Sequence, residues 1–324
     1  MKAIRVTKYG GPDVLQVQEI PAPQPDRGQA LLRMATAGVN FVDIYQRRGT
    51  YPVGVPYTPG REGAGVVQAV GEGVTTVHPG DRVAFTGQPG SYAEMCVVPA
   101  DSLIPVPSDM SLEQGGAFPL QGMTAHYLIH EFRRLKPDET VLIHAAAGGV
   151  GLLLVQWARH LGARVIGTVS TEEKAKIARE AGANHVILYT QQDFVVETKR
   201  LTEGRGADLI LDGIGKTTFQ GNLEAAALRG YIVVYGAASG AADPIVPNAL
   251  MGRSLMLGGG SLGNFLLTRE ELMHRSHEVL AGIRAGWLKL RIDRTLPLAQ
   301  AAEAHRALET RQTMGKLLLK VADV

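Results

Sequence analysis

The chain has 324 residues, too many for one ordinary core and enough for two domains; 45% of them are hydrophobic, and the net charge is +2 with the histidines neutral. No block of lysine or arginine forms the basic stripe that nucleic acid or an anionic membrane surface requires, and no apolar run reaches the roughly 18 residues of a membrane span. The lone cysteine, Cys96, excludes an intrachain disulfide framework and fits a reducing cytoplasm. The first residues, "MKAIRVTKYGG", read as a short polar-interrupted strand and not as a signal peptide.

Up to about residue 120, short β-rich runs ("ALLRMATAGV", "GAGVVQAVG", "DRVAF", "YAEMCVVP") are separated by Gly, Pro and Asp, which predicts a compact β-rich domain. Strands and helices then alternate. "ETVLIHA" is followed by a helix over roughly 149–161, "ARVIGTV" by a helix over 171–181, and "HVILY" by "FVVETKRLT"; then come "ADLILDG", a helix near 217–228 and "GYIVVYG". Continuous apolar strands between amphipathic helices predict a parallel sheet covered on both faces. From about 264, "REELMHRSHEVLAGIRAG" reads as a helix and "GKLLLKV" as a closing strand. No repeat or low-complexity segment interrupts this order. The expected organisation is an α/β domain, 121–263, inserted into a β-rich domain built from 1–120 and 264–324.

Between "ETVLI" and "LLLVQWARHLG" lies "HAAAGGVG", His144 to Gly151. Its spacing is A-x-x-G-x-x-G, on Ala145, Gly148 and Gly151. Small residues let the backbone turn tightly and approach a pyrophosphate, and the helix start offers unpaired N–H groups and a positive dipole end. A glycine-rich turn that binds nothing is the competing reading, and the strand–turn–helix context weighs against it. The next strand ends in Thr168, Val169 and Ser170, where NAD-binding folds usually place an acid on the ribose 2′-hydroxyl. The missing acid, the Ser170 hydroxyl and the nearby Lys174 favour a 2′-phosphate and hence NADPH over NADH. Ser170 with Glu173 equally reads as a capping box, Lys174 as a solvated helical lysine, and Glu172 and Glu173 stand close to both.

"DETVLIHAAAGGVGLLLVQWAR", Asp138 to Arg159, resembles the signature of the zeta-crystallin-type quinone oxidoreductases, the zinc-independent branch of the medium-chain dehydrogenase/reductases. The likeness extends through "GGPDVL", "GVNFVDIYQRRGTYP", "GDRVAF", "TVSTEEKAKIAREAGANHVI", "LDGIG", "TREEL" and "LETRQTMGKLLL". It implies an α/β fold in which a doubly wound Rossmann sheet is inserted in a GroES-like catalytic domain, with NADPH as cofactor and commonly a homodimer.

Zinc relatives in the superfamily carry a cysteine where this chain has Asn40 and the histidine of a "GHE" motif where it has Arg61, while Gln121 and Gly122 lie where a third ligand would be sought. With one cysteine no structural zinc cluster can form, and His126 and His130 share a helix face as packing residues, so no metal site is expected.

The resemblance places Asn40 and Tyr45 in a catalytic-domain loop facing the nicotinamide, and Thr124 and Tyr127 in the helix entering the cofactor domain. Gly148, Gly149 and Val150 line the pyrophosphate turn, and Ser170, Lys174 and Tyr189 surround the 2′-phosphate end. Gly213 and Gly236, Ala237, Ala238 and Ser239 fall at later strand ends, and Arg311 reaches the cofactor from the C-terminal segment. Gly258, Gly259 and Gly260 stand where relatives can carry larger, sometimes cationic residues, which suggests a roomier or more mobile cleft. Tyr45 and Tyr51, with Asn40, are the catalytic candidates, the tyrosines as hydrogen-bond donors to a substrate oxygen; both tyrosines also read as packing side chains, and Tyr189 as core. No Ser-His-Asp, Cys-His or Tyr-x-x-x-Lys arrangement is legible. The expected activity is hydride transfer from NADPH to a quinone without a metal. The alternatives are an enone or acrylyl C=C reductase on the same scaffold, and a non-catalytic NADPH-binding protein. The expected partners are a small quinone or enone, with neither membrane nor nucleic acid.

Overall fold

The computed structural model describes all 324 residues, which group into two units. The first holds Met1–Leu120, Leu267–Ser276 and Leu290–Val324; the second holds Gln121–Leu266 and His277–Lys289. Residues 264–266 and 277–289 therefore group with the second unit, where the sequence pattern assigned them to the β-rich part. The reason is aromatic packing. Trp287 sits 5.2 Å from Trp157 and stacks on His160 at 4.0 Å.

The N-terminal stretch runs β1 (Lys2–Arg5), β2 (Gln16–Glu19), β3 (Gln29–Val39), α1 (Phe41–Arg48), β4 (Glu62–Val70), β5 (Arg82–Thr86), β6 (Met95–Pro99), β7 (Ile104–Pro105) and α2 (Leu112–Ala117). Helix α3 (Pro119–His130) begins at its end. Strand β3 is buried at nearly every position because β15 (Lys316–Lys320), β4 and β6 all pair with it. The segment expected as a catalytic-domain loop is α1. Its punctuation is present in the sequence: Asn40 and Asp43 at the start, and Gly49 in the left-handed region at φ 81° at the end.

The second unit alternates β8 (Thr140–Ile143), α4 (Gly149–His160), β9 (Arg164–Val169), α5 (Glu172–Glu180), β10 (His185–Leu188), α6 (Phe194–Leu201), β11 (Ala207–Asp212), α7 (Phe219–Ala225), β12 (Ala226–Val234) and β13 (Met256–Gly259). Helix α7 is shorter than the sequence suggested, because Ala226 already pairs with Ala207 and begins β12. All six strands are parallel in the order β10-β9-β8-β11-β12-β13. Counted from β8, this is the 3-2-1-4-5-6 order of a doubly wound Rossmann sheet, which reverses direction beside β8. Leu142, Ile166, Ile187, Ile210 and Ile232 are buried on it, each burial stabilising by about 1.5–3 kcal/mol. The chain closes with α8 (Arg269–Arg284), β14 (Ile292–Pro297), α9 (Ala301–Glu309) and β15. The first unit's large sheet runs β14-β15-β3-β4-β5-β7, with β6 also on β3, and is the GroES-like part.

Candidate active site

The chain leaves β8 through His144 and Ala145, the latter at φ 52°, and enters α4 with Gly148 as N-cap. Gly148 has no side chain to close the cap, and the first helical bond runs from Leu152 N–H to the Gly148 carbonyl at 2.9 Å. The N–H groups of Gly149, Val150 and Gly151 thus have no intrahelical acceptor. The glycines divide by what they face. A Cβ on Gly151 would lie 2.2 Å from the Ala145 carbonyl oxygen, and one on Gly149 2.2 Å from the Gln121 amide. One on Gly148 would meet only that Ala145 oxygen, at 3.2 Å. Gly149 and Gly151 serve packing; half-exposed Gly148 keeps the outer face of the turn open. An open helix N-terminus at the switch point of a parallel sheet fits a dinucleotide pyrophosphate.

At the neighbouring strand ends, the register Leu188↔Val169 sets Tyr189 beside Ser170. Tyr189 N–H donates to the Val169 carbonyl at 3.1 Å, and the Thr190 hydroxyl to the Ser170 carbonyl at 3.0 Å. Thr171, not Ser170, caps α5, accepting from Lys174 N–H at 3.3 Å, so the helix makes no use of the Ser170 hydroxyl. Tyr189 is 41% exposed and is no core residue.

Beneath these strand ends lies a buried polar chain that the sequence did not single out. His144 contacts Thr168 Oγ1 through Nδ1 at 2.9 Å and Asn222 Oδ1 through Nε2 at 2.7 Å. Asn222 donates to Asp212 at 2.6 Å, and the other Asp212 oxygen accepts Ile214 N–H and Gly215 N–H. Burial holds the imidazole pKa below its ordinary value, against the pull of Asp212. Polar residues closing apolar strands (His144, Thr168 and Asp212) were the available signal. Together they tie the ends of β8, β9 and β11 to α7.

The later loops behave less uniformly. Ala238 N–H donates to the Gly213 carbonyl at 3.2 Å, and the Ser239 hydroxyl to the Ile214 carbonyl at 2.8 Å, so Gly213 and Gly236–Ser239 form one bonded rim. Gly258 and Gly260 do not open a roomier cleft. A Cβ there would meet the rings of Phe132 at 3.0 Å and Tyr127 at 2.6 Å, which occupy the space; only Gly259 is unobstructed. Tyr127 is itself buried and stacks on Phe265 at 4.3 Å. Thr124 is buried as well. His126 and His130 pack on Trp157 at 5.3 and 5.6 Å.

In the first unit, Asn40 does not face open space. Its Nδ2 donates to Glu62 Oε2 at 2.9 Å, and its Oδ1 accepts from Lys316 Nζ at 2.8 Å, all three side chains being buried. The expected catalytic amide is therefore held between two buried charges. Asp43 returns a bond to the Asn40 N–H at 2.9 Å, and burial pushes its carboxyl up to about 7. On α1, Tyr45 is half-buried, with its ring 5.1 Å from that of Tyr51 and 6.1 Å from that of Phe41. Tyr51 is 51% exposed, and its N–H donates to the Tyr45 carbonyl at 3.1 Å. Together they present an aromatic panel. Arg311 is exposed just beyond α9, at φ 59°.

A family model described as "Zinc-binding dehydrogenase" matches residues 149–277, and one described as "Alcohol dehydrogenase GroES-like domain" matches residues 26–108. The chain is 39% identical over 321 residues to a quinone oxidoreductase of Pseudomonas aeruginosa, covering 98% of this chain and 99% of that one. The chain belongs to the quinone oxidoreductase family. It is also 43% identical over 323 residues to a 2-haloacrylate reductase of a Burkholderia species, covering 97% of each. The crystal structure of Escherichia coli quinone oxidoreductase complexed with NADPH superposes with a TM-score of 0.96 at 38% identity, covering 99% of this chain and 100% of that one. The protein is accordingly an oxidoreductase with a GroES-like and a Rossmann part.

The description of the larger family model implies zinc, and the donor set does not fit it. No three His, Cys, Asp or Glu side chains converge where they could hold a metal ion. Asn40 is committed to Glu62 and Lys316, and the Arg61 guanidinium donates to the Gly87 carbonyl.

Proposed function

We propose that this protein reduces quinones with NADPH by direct hydride transfer, without a metal. The observation that carries the reading is the open, side-chain-free start of α4 beside a β9 that ends without an acid. In this reading the N–H groups of Gly149 and Val150, reached past Gly148, bind the pyrophosphate. Ser170, Lys174 and Tyr189 bind the 2′-phosphate, its charge offset by the lysine. The rim Gly213, Gly236–Ser239 and the segment Gly258–Gly260 border the nicotinamide half, and Arg311 supplies a further cation. Bound NADPH supplies the hydride. Tyr45 and Tyr51 orient the substrate ring and donate to the oxygen that gains charge, while water delivers the proton that completes the hydroquinone. Asn40 acts by holding α1 in place.

A second reading, reduction of an activated C=C bond, is favoured by the likeness to the Burkholderia 2-haloacrylate reductase. The panel of Phe41, Tyr45 and Tyr51 suits a flat conjugated ring better than a small carboxylate. NADPH oxidation measured against benzoquinones, naphthoquinones and 2-chloroacrylate decides between them. Turnover of the acrylate alone would replace the quinone reading.

A homodimer in the cytoplasm completes the proposal. Strand β13 is an outer strand, paired only with β12, and Val246, Met251, Met256 and Leu257 stand exposed on or near it, as expected of an edge that a second copy covers. Cys96 is a free, buried thiol. No helix is long and apolar enough to cross a membrane.

A further inference from the structure

The buried pair Lys316–Glu62 is expensive to keep, and its geometry shows what it holds. Lys316 opens β15 and Glu62 opens β4, the two strands that flank β3. Their side chains cross over Gly38 of β3, where a Cβ would lie 2.2 Å from Glu62 Oε2 and 2.9 Å from Lys316 Nζ. Glycine is what gives the pair room. The Lys316 ammonium reaches Glu62 Oε2 at 2.5 Å, with side-chain exposures of 3% and 0%. Both ions also grip the Asn40 carboxamide, and the other Glu62 oxygen accepts from Leu120 N–H at 2.7 Å.

Desolvating two charges usually costs as much as their attraction returns, so such a pair is poor evidence for stability. What it fixes is orientation. Asn40 is the N-cap residue of α1, its amide is held by the two charges, and the Asp43 carboxylate closes the first turn by accepting from the Asn40 N–H. At the other end of α1, Arg47 is buried and contacts His305 at 3.1 Å and Glu309 at 2.5 Å. Tyr45 lies between these two anchors.

We propose that Lys316 and Glu62 are positioning residues for the substrate side of the site: through Asn40 they lock the first turn of α1 and so set the placement of the Tyr45–Tyr51 panel. The inference rests on the quinone reading only for its kinetic arm. The variants are Lys316→Met, the charge-free pair Lys316→Met/Glu62→Gln, and Gly38→Ala, which drives a methyl group between the ions. The double variant leaves no unpaired buried charge and serves if a single one fails to fold. Two measurements are made on each: hydrogen exchange of backbone amides by mass spectrometry without substrate, and steady-state reduction of 1,4-benzoquinone with the NADPH Kd determined separately. The expected result is faster exchange confined to 41–48, and a kcat/KM for the quinone lower by about ten- to hundredfold, the scale of an ångström-sized misplacement, at unchanged NADPH affinity. Unchanged exchange in α1 would overturn the proposal. So would a uniform rise across β3, β4 and β15 with normal kcat/KM, which would mark the pair as merely structural. Should the wild-type protein show no quinone turnover, the functional reading fails and the exchange experiment alone decides the role of the pair.

Discussion

Replacing Gly148 by valine separates binding from folding at the glycine turn. Its backbone, at φ −78° and ψ 172°, lies in the extended region that a β-branched residue accepts, and the nearest atom to a Cβ is the Ala145 carbonyl oxygen at 3.2 Å. The loss of unfolded-state freedom stabilises by about 0.4–1 kcal/mol and offsets that tight contact. At roughly 2–4 °C per kcal/mol for a domain of this size, the Tm should stay within about 3 °C of wild type. The γ-methyls, one bond further out, cover the N–H groups of Gly149 and Val150. Losing two charge-assisted hydrogen bonds of about 1.5–3 kcal/mol each weakens NADPH by roughly 10²–10⁴-fold. Calorimetric titration with NADPH and a thermal scan read the two effects separately. Gly151→Ala is the contrast, because its Cβ would lie 2.2 Å from a backbone carbonyl, so it should lower the Tm before any ligand is added. A folded Gly148→Val protein that binds NADPH within about threefold of wild type, a shift under 1 kcal/mol, would refute the pyrophosphate assignment.

Lys174→Ala should weaken NADPH about tenfold or more and leave NADH unchanged, and equal losses would show that the lysine does not read the 2′-phosphate. Tyr45→Phe and Tyr51→Phe should each lower kcat/KM for a quinone by about tenfold or less; a loss beyond about 10³-fold at normal NADPH affinity would reveal a dedicated proton donor. Chelators should leave quinone turnover intact, and one tightly held zinc per chain, lost together with activity, would contradict the donor set. The pair of groups on Tyr92 sets a pH test: burial lifts Asp43 from 3.8 to about 7, so its contribution to stability is lost as pH rises through 7, whereas burial and Arg47 lower His305 from 6.5 to about 3, so its contribution is lost as pH falls through that range. The slopes oppose each other between about pH 4 and 6.5, and Asp43→Asn should therefore make the urea midpoint fall more steeply than in wild type as pH drops from 6.5; parallel profiles would refute the raised carboxyl.

The Rossmann half was legible because its signals are local. An apolar strand, a small-residue turn and an amphipathic helix succeed one another within twenty residues, and α4 and α5 begin within a residue of where the pattern puts them. Errors arose where one residue type serves two purposes. Ser170 and Thr171 are both competent caps, and only the backbone decides that Thr171 takes the role. The Gly258–Gly260 run looks like open space in a sequence, since nothing in it announces that Phe132 and Tyr127 fill the gap. Helix α1 was missed for a related reason: its eight residues carry both aromatic and charged side chains, and neither face reads as a continuous apolar stripe.

The site's electrostatic frame was illegible for a different reason. Lys316 and Glu62 are 254 residues apart, and His305 and Arg47 are 258 apart; each alone reads as an ordinary charge on a strand or helix. What makes them a frame is that their strands and helices become neighbours, which no local pattern encodes. A physical signal does exist. Glu62 sits in "REGAG" and Lys316 in "GKLLL", charges set among small or apolar residues at the start of strands whose first four residues are all buried. A charge at an inward position is tolerated only with a partner. The chain offers one acid and one base so placed on strands that both border β3, with a glycine between them. Once the order β15-β3-β4 is known, the pairing follows, and Asn40, next along from Val39, is the residue it can reach.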